Sequence, residues 1–237
     1  MTRELQVQKQ LKAVQFLRAI KEGQTYQELS QLLGISPIVL NRYVKGHVLP
    51  EPSRAEKILE LRSWKRLSQQ GEALLRFDED GFIDNTGLLF NTAFLGATAE
   101  LVAAEFPQAE KLLTAAVDGI PLATHVAAAL RVECLFAKRG REIGVPSFVE
   151  SRYKLPTGQV LNYFLPADAL SRDDRVLIVD DLMRSGETQA ALVQIAQAKQ
   201  ATIIGVFSLI QIGNKGRRRL RKLVSCPIKA LVQPDLH

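Results

Sequence analysis

Cysteine, histidine and tryptophan are scarce in this chain of 237 residues. It has two cysteines, Cys134 and Cys226, far apart and without a CxxC partner. That spacing excludes a disulfide framework and a cysteine-rich zinc site. The three histidines, His47, His125 and His237, are scattered, so a histidine-built metal site is not expected. Long apolar runs are missing too. The richest stretch, Ala201 to Ile212, is too short to cross a bilayer. The opening MTRELQVQKQ has no apolar core behind its charges, which is not the pattern of a secretory signal. The expected compartment is the cytoplasm. Low-complexity tracts and internal repeats are absent. What remains is the balance of a globular protein, 46% hydrophobic and 24% charged, at a length suited to one large domain or two unequal ones.

The charge is unevenly placed. Residues 1–70 carry 12 Lys and Arg against 6 Asp and Glu, so the whole net charge of +6 belongs there. Residues 71–237 carry 19 of each sign and are neutral. A small basic module joined to a neutral larger one suggests nucleic-acid binding by the small module. The competing reading is a solvated basic helical surface.

Local signals in the first seventy residues favour short helices. Val7, Leu11, Val14, Leu17 and Ile20 recur at helical spacing and predict a helix over about 4–21. Thr25 with Glu28 forms a capping box before a helix at about 26–33, and Gly34 ends it. Ser36-Pro37 opens a third helix, with Ser36 as N-cap, that runs to about Lys45 and stops at Gly46. Ser53 to Glu56 reads as a second capping box, opening a helix to about residue 69. Two short helices about a tight glycine turn make a helix-turn-helix. The segment TYQELSQLLGISPIVLNRYVKGHVLPEPS, with its Arg42 to Gly46 and Pro50 ending, resembles the repressor-type helix-turn-helix of phage Cro and related proteins. The resemblance covers about 50 residues. It implies that the 37–45 helix enters the major groove of double-stranded DNA, with Ser36, Ile38, Asn41, Arg42 and Lys45 on the DNA face and Val39, Leu40 and Tyr43 or Val44 inward. Asn and Arg can read base edges through paired hydrogen bonds, whereas Ile38 offers only an apolar contact. The alternative is a helical arm that only dimerises.

A turn centred on Phe77 to Gly81 separates these helices from the rest, and the domain boundary is placed near 70, giving domains 1–70 and 71–237. Strand and helix patterns then alternate, with strands at 111–116, 134–137, 176–179, 202–210 and 228–231 and helices at 93–105, 122–130, 188–198 and 216–223. The expected fold is α/β with a mostly parallel sheet.

The strongest chemical signal is Val176 to Thr188, VLIVDDLMRSGET. A hydrophobic strand ends in two carboxylates, and a loop bearing Ser, Gly and Thr then enters a helix. Amides at a helix N-terminus suit a phosphate, and strand ends of open α/β sheets are where ligands bind. This stretch resembles the phosphoribosyl pyrophosphate (PRPP) motif of the type I phosphoribosyltransferases. The resemblance spans about residues 85–235. It implies that Asp180 and Asp181 contact the ribose hydroxyls and that Met183, Arg184, Ser185, Gly186, Glu187 and Thr188 wrap the 5′-phosphate. It also gives Asp118 and Gly119 of VDGIPLA to a pyrophosphate loop, and Lys138 and Arg139 to the phosphates. Residues 142–164, with Ser151 and Tyr153, stand as a lid that excludes water. PRPP would be the ligand, with Mg2+. Two departures stand out: Arg184 where small residues are usual, and Glu187 where glycine is common. Glu187 adds negative charge at a phosphate site unless it points outward or pairs with Arg184. A base-binding hood would use residues 72–92, with Phe82 and Phe90 as candidates. The basic cluster Lys215, Arg217, Arg218, Arg219, Arg221 and Lys222 reads first as a solvated face, with contact to the DNA backbone or pairing with the acidic motif of a partner subunit as the alternatives.

Together these resemblances imply fusions like the purine-repressor-type and archaeal regulators. The leading expectation is a DNA-binding homodimeric regulator that senses PRPP or a nucleotide. The alternative is a purine or orotate phosphoribosyltransferase with an added helical arm, using Asp180 and Asp181 in catalysis.

Overall fold

The computed structural model describes residues 2–79, 82–154, 158 and 160–234. Asp80 and Gly81 of the expected turn, residues 155–157 and 159 of the expected lid, and His237 lie outside them. The chain divides into two compact units between Leu101 and Val102.

The first unit is built on helices. Thr2 caps α1 (Arg3–Lys21), which buries Val14, Phe16, Leu17 and Ile20. The capping box of α2 (Tyr26–Leu33) is complete, Thr25 accepting from Glu28 N–H and Glu28 reaching back to Thr25 N–H. Gly34 ends α2 at φ 65°, a left-handed turn that a side chain would strain. Ser36 caps α3 (Pro37–Val44), with Pro37 in its first turn and Leu40 and Tyr43 buried. Val39 and Val44, expected inward, are half-buried.

The single helix expected from Ser53 to about residue 69 is instead two helices. α4 (Pro52–Glu60) starts two residues earlier, with Glu51 as N-cap and no side-chain cap bond, so the Ser53–Glu56 box does not form. Proline is pre-organised for a first helical position and moves the start forward. The helix stops, and Ser63 opens α5 (Trp64–Leu74) by accepting from Arg66 N–H at 3.3 Å. A second start signal inside an unbroken apolar pattern splits it.

A two-stranded ribbon, β1 (Arg76–Phe77) with β2 (Ile83–Asp84), precedes α6 (Thr86–Leu89) and α7 (Thr92–Glu105). This segment packs with the helices before it. Lys12 pairs with Glu100 at 2.8 Å, and Asn91 hydrogen-bonds Glu22. The contact-defined division therefore lies some thirty residues beyond the boundary read from composition near 70.

The second unit is an α/β layer structure: β3 (Lys111–Ala115), α8 (Gly119–Leu130), β4 (Glu133–Ala137), β5 (Phe148–Lys154), β6 (Val160–Pro166), β7 (Arg175–Met183), α9 (Glu187–Ala198), β8 (Thr202–Gln211), α10 (Lys215–Leu220) and β9 (Ile228–Val232). Five strands form one parallel sheet in the order β4-β3-β7-β8-β9. Parallel neighbours require crossovers, and α8 and α9 supply two of them. Val176 to Val179 of the central strand are wholly buried. Val176 and Ile178 share a core with Leu113, Val206 and the residues Leu192, Val193 and Ile195 of α9. Each such side chain contributes roughly 1.5–3 kcal/mol by leaving water.

Two boundaries differ from the sequence reading in a way that matters. The strand expected to end at Val179 runs on to Met183, because β8 is long enough to pair with it there, Asp180 with Ser208 and Leu182 with Ile210. Both carboxylates thus sit within regular strand. α8 begins at Gly119, three residues earlier than expected, which brings the VDGIPLA turn onto a helix end. The hairpin of β5 and β6 is antiparallel and joins the rest through a bridge between Lys138 and Phe164.

Candidate functional site

The C-terminal ends of β3 and β7 and the N-terminal ends of α8 and α9 meet around an open cavity of about 240 Å³. Its lining includes Asp118, Gly119, Arg139, Tyr163, Asp181 and Thr188. The topology accounts for the place. At the end of a parallel strand the chain leaves the sheet, and successive loops converge there.

Asp180 is only 4% exposed and sits at the floor. Its Oδ2 accepts from the Gln189 side-chain amide at 2.6 Å, and its Oδ1 accepts from Asp181 N–H at 3.1 Å. Burial pushes the Asp180 carboxyl well above the ordinary aspartate range, and the neighbouring Asp181 charge adds to the shift. Asp181 is half-buried and is also raised, chiefly by burial. One carboxyl is therefore anchored beneath the surface while its neighbour faces the cavity.

Gly119 closes the opposite wall. A Cβ there would stand 2.3 Å from Thr114 Oγ1 and 2.7 Å from Asp180 Oδ1, so only glycine lets this turn approach the strand. The peptide between Ala116 and Val117 is cis.

The loop after β7 turns at Gly186, with φ 72°. A Cβ on Gly186 would lie 2.8 Å from Gly216 Cα, because the start of α10 is seated on the loop. Gly216 N–H donates to Arg184 O at 3.1 Å, and Ile212 N–H to Met183 O at 2.9 Å. Met183 is buried beneath the loop and Arg184 is exposed. Ser185 and Thr188 are half-buried, and the Thr188 hydroxyl is 3.4 Å from the Tyr163 hydroxyl. Glu187 pairs with Arg219 at 3.1 Å rather than with Arg184.

Most of the sequence-derived set converges here: Asp118, Gly119, Arg139, Asp180, Asp181 and Thr188 line the cavity, and Met183 to Glu187 form the loop beside it. Two residues do not join it. Lys138 pairs with Glu142 and lies over the Phe136 ring at 5.1 Å, beside a separate cavity. Tyr153 faces Arg219, its ring centroid 5.0 Å from the guanidinium carbon. Thr114, Tyr163, Gln189 and Gly216 contribute without having been expected. Alternation along 160–166 marks one face of the hairpin, but it cannot tell which strand meets the cavity. In α10, Arg217 donates to Gln211 at 3.0 Å and Arg219 turns to Glu187, while Lys215 and Arg218, and Arg221 and Lys222 just after the helix, are exposed. The basic cluster is thus only partly a solvated face.

In the first unit, Ile38 is 76% exposed, and Asn41 and Arg42 of α3 and Lys45 at its C-cap are exposed too. Ser36 Oγ accepts from Val39 N–H, so its side chain serves the cap. Tyr26 donates its hydroxyl to Asn41 Oδ1 at 3.1 Å. Phe82 and Phe90, the two hood candidates, are 60% and 80% exposed and are not core residues of this unit.

Among the described residues, no group of three or more His, Cys, Asp and Glu stands close enough to hold a metal ion. No described helix is long and apolar enough to cross a membrane.

The sheet order, the hairpin and the paired loops define the α/β fold of the type I phosphoribosyltransferases, and solved structures match it. Adenine phosphoribosyltransferase from Rhodothermus marinus superimposes with a TM-score of 0.64 at 21% identity, covering 72% of this chain and 99% of that one. The enzyme of the same name from Thermoanaerobacter pseudethanolicus gives 0.63 at 19%, covering 70% and 99%. Among curated proteins, a xanthine phosphoribosyltransferase from Streptococcus uberis is 28% identical over 125 residues, 52% of this chain and 65% of the relative. A hypoxanthine/guanine phosphoribosyltransferase from Methanocaldococcus infernus is 29% identical over 135 residues, 56% of this chain and 69% of the relative. The chain thus spans just under two thirds of the Streptococcus relative's length. No protein-family model matches the chain. The relatives carry the names of transferases, which favours the transferase reading over the regulator reading.

Proposed function

We propose that the α/β unit binds PRPP and transfers its phosphoribosyl group to a purine base. The observation that carries this reading is one cavity at the strand ends, lined by the 116–119 turn into α8, by Asp180 and Asp181 of β7 and by Thr188 of α9, with the turn between β7 and α9 beside it. The 183–188 amides and the Ser185 and Thr188 hydroxyls take the 5′-phosphate. Asp181 accepts from the ribose diol, and Asp180 orients the strand end from below. The Gly119 turn and Arg139 face the pyrophosphate. In transfer, the bond from ribose C1 to the pyrophosphate oxygen breaks, a bond from C1 to a base nitrogen forms, that nitrogen gives up its proton to solvent, and pyrophosphate leaves. Donors fixed around the departing pyrophosphate stabilise the charge that develops on it.

The donor set suits Mg2+ delivered by the substrate. The ion binds through one or two carboxylates together with phosphate oxygens, so a cluster of three protein ligands is not required. Asp118 and Asp181 both line the cavity and are the carboxylates that would hold it. Bound there, the ion would supply charge neutralisation on the pyrophosphate.

A second reading is favoured by one observation, the exposed Asn41, Arg42 and Lys45 face of a capped two-helix turn in a basic segment. In this reading the first unit binds double-stranded DNA, and a two-fold dimer presents two α3 helices to a palindromic site. PRPP or a nucleotide in the second unit then acts as effector. The domain assignment that goes with it is a DNA-binding module of residues 1–70.

Calorimetric titration of PRPP with Mg2+, followed by each common base with pyrophosphate release assayed, tests both. Release with one purine is expected and names the substrate. PRPP binding without release for any base overturns the transferase reading in favour of a sensor. No binding of PRPP overturns both uses of the site.

A further inference from the structure

Glu187 stands at the first position of α9, directly after the Gly186 turn, on the helix end assigned above to a phosphate. An acidic side chain there is a competitor in the same molecule. Helix N-termini attract carboxylates for the same reason that they attract phosphate, through unpaired amides and the helix dipole. The structure shows where this carboxylate goes. Glu187 Oε1 lies 3.1 Å from Arg219 Nη1, and the two side chains are only 14% and 24% exposed. Arg219 Nη1 is buried and makes no aligned hydrogen bond among the described residues, so charge holds the pair. Tyr153 covers the guanidinium, its ring centroid 5.0 Å from Cζ. An aromatic face in that position attracts the cation and keeps water from the pair, which strengthens it. The backbone beneath is registered independently of these charges, through Gly216 N–H on Arg184 O at 3.1 Å and the close approach of Gly216 to Gly186.

We infer that Arg219 is a positioning residue for the anion site: it holds the Glu187 carboxylate away from the 185–188 amides, with Tyr153 as its brace. This lets a loop with an acid at the usual glycine position accept a phosphomonoester. The inference rests on the phosphate-loop reading under Proposed function and extends it to three side chains from separate elements. Without Arg219, the Glu187 charge is left unneutralised beside the loop or turns onto its amides. Either outcome opposes an incoming dianion.

The test is calorimetric titration of the full chain with ribose 5-phosphate, in wild type, Arg219→Gln, Glu187→Gln and the double variant, with thermal melts to confirm folding. Arg219→Gln is expected to weaken binding by about tenfold or more, equivalent to 1.4 kcal/mol. Glu187→Gln is expected to tighten it, and the double variant to regain most of what Arg219→Gln loses. That rescue is the readout a merely structural arginine would not produce. A double variant as weak as Arg219→Gln, or an Arg219→Gln protein that binds like wild type, overturns the inference while leaving the phosphate loop in place. If Arg219→Gln does not fold, Glu187→Gln decides alone: tighter binding supports the inference, and equal or weaker binding overturns it. No binding of ribose 5-phosphate by wild type overturns the phosphate-loop reading itself, and this inference with it.

Discussion

Gln189, in the first turn of α9, donates its side-chain amide to the buried Asp180 carboxyl at 2.6 Å and to the Leu182 carbonyl at 3.0 Å. One side chain therefore ties the helix start to the strand end that it follows. The loop between them is clamped at both ends, and its amides are set before any ligand arrives. Preorganised donors avoid reorganisation when charge appears in the site.

Stability should depend on pH through Asp180. Burial holds its carboxyl above the ordinary range, so the folded chain keeps a proton that the unfolded chain has released. The resulting stability is full below the unfolded pKa of about 4 and is lost as pH rises towards the folded value. Asp180→Asn removes this dependence. Melting temperatures measured from pH 4 to pH 8 should therefore move in favour of the variant as pH rises. A difference that stays constant over that range would show that Asp180 is not the group responsible.

Gly186→Ala should damage the loop. At φ 72°, with Gly216 Cα 2.8 Å from the new methyl, the loop must shift. A strained backbone of this kind costs about 1–3 kcal/mol. Chemical denaturation should show that loss, and PRPP affinity should fall on the order of tenfold. Unaltered affinity would mean that the loop amides do not hold the ligand.

Asn41→Ala with Arg42→Ala tests the exposed face of α3. If the first unit reads DNA, each paired contact is worth roughly 1–3 kcal/mol, so specific binding should drop steeply while PRPP binding is unchanged. Mobility shifts at several salt concentrations would separate base reading from phosphate attraction. Specific binding that survives the double change removes α3 from the recognition role.

Leu40→Ala probes the core of the helical unit. Leu40 is wholly buried, and truncating such a leucine typically costs about 2–5 kcal/mol. Trp64 is the only tryptophan and lies in this unit, so its fluorescence reports the transition. An unmoved denaturation midpoint would contradict the packing described here.

The sequence by itself determined what is local. The Val176–Val179 strand, the Asp180-Asp181 pair, the glycine turn and the start of the following helix lie within thirteen consecutive residues, and each step has a short-range cause. The same holds for the Thr25–Glu28 box and the Gly34 stop. Helix ends failed where two local signals competed, as when Pro52 and Ser63 divided one expected helix into α4 and α5. The strand end was misplaced because its length is set by a partner, β8, twenty residues further on. Tertiary structure alone decided which charges meet. Lys138 and Arg139 are adjacent in sequence, yet just past the end of β4 one turns to Glu142 and the other to the cavity. Glu187 finds Arg219, thirty-two residues away, and not Arg184, three residues away. Pairings of this kind depend on how α10 and the hairpin pack around the loop, and no periodicity along the chain encodes that geometry.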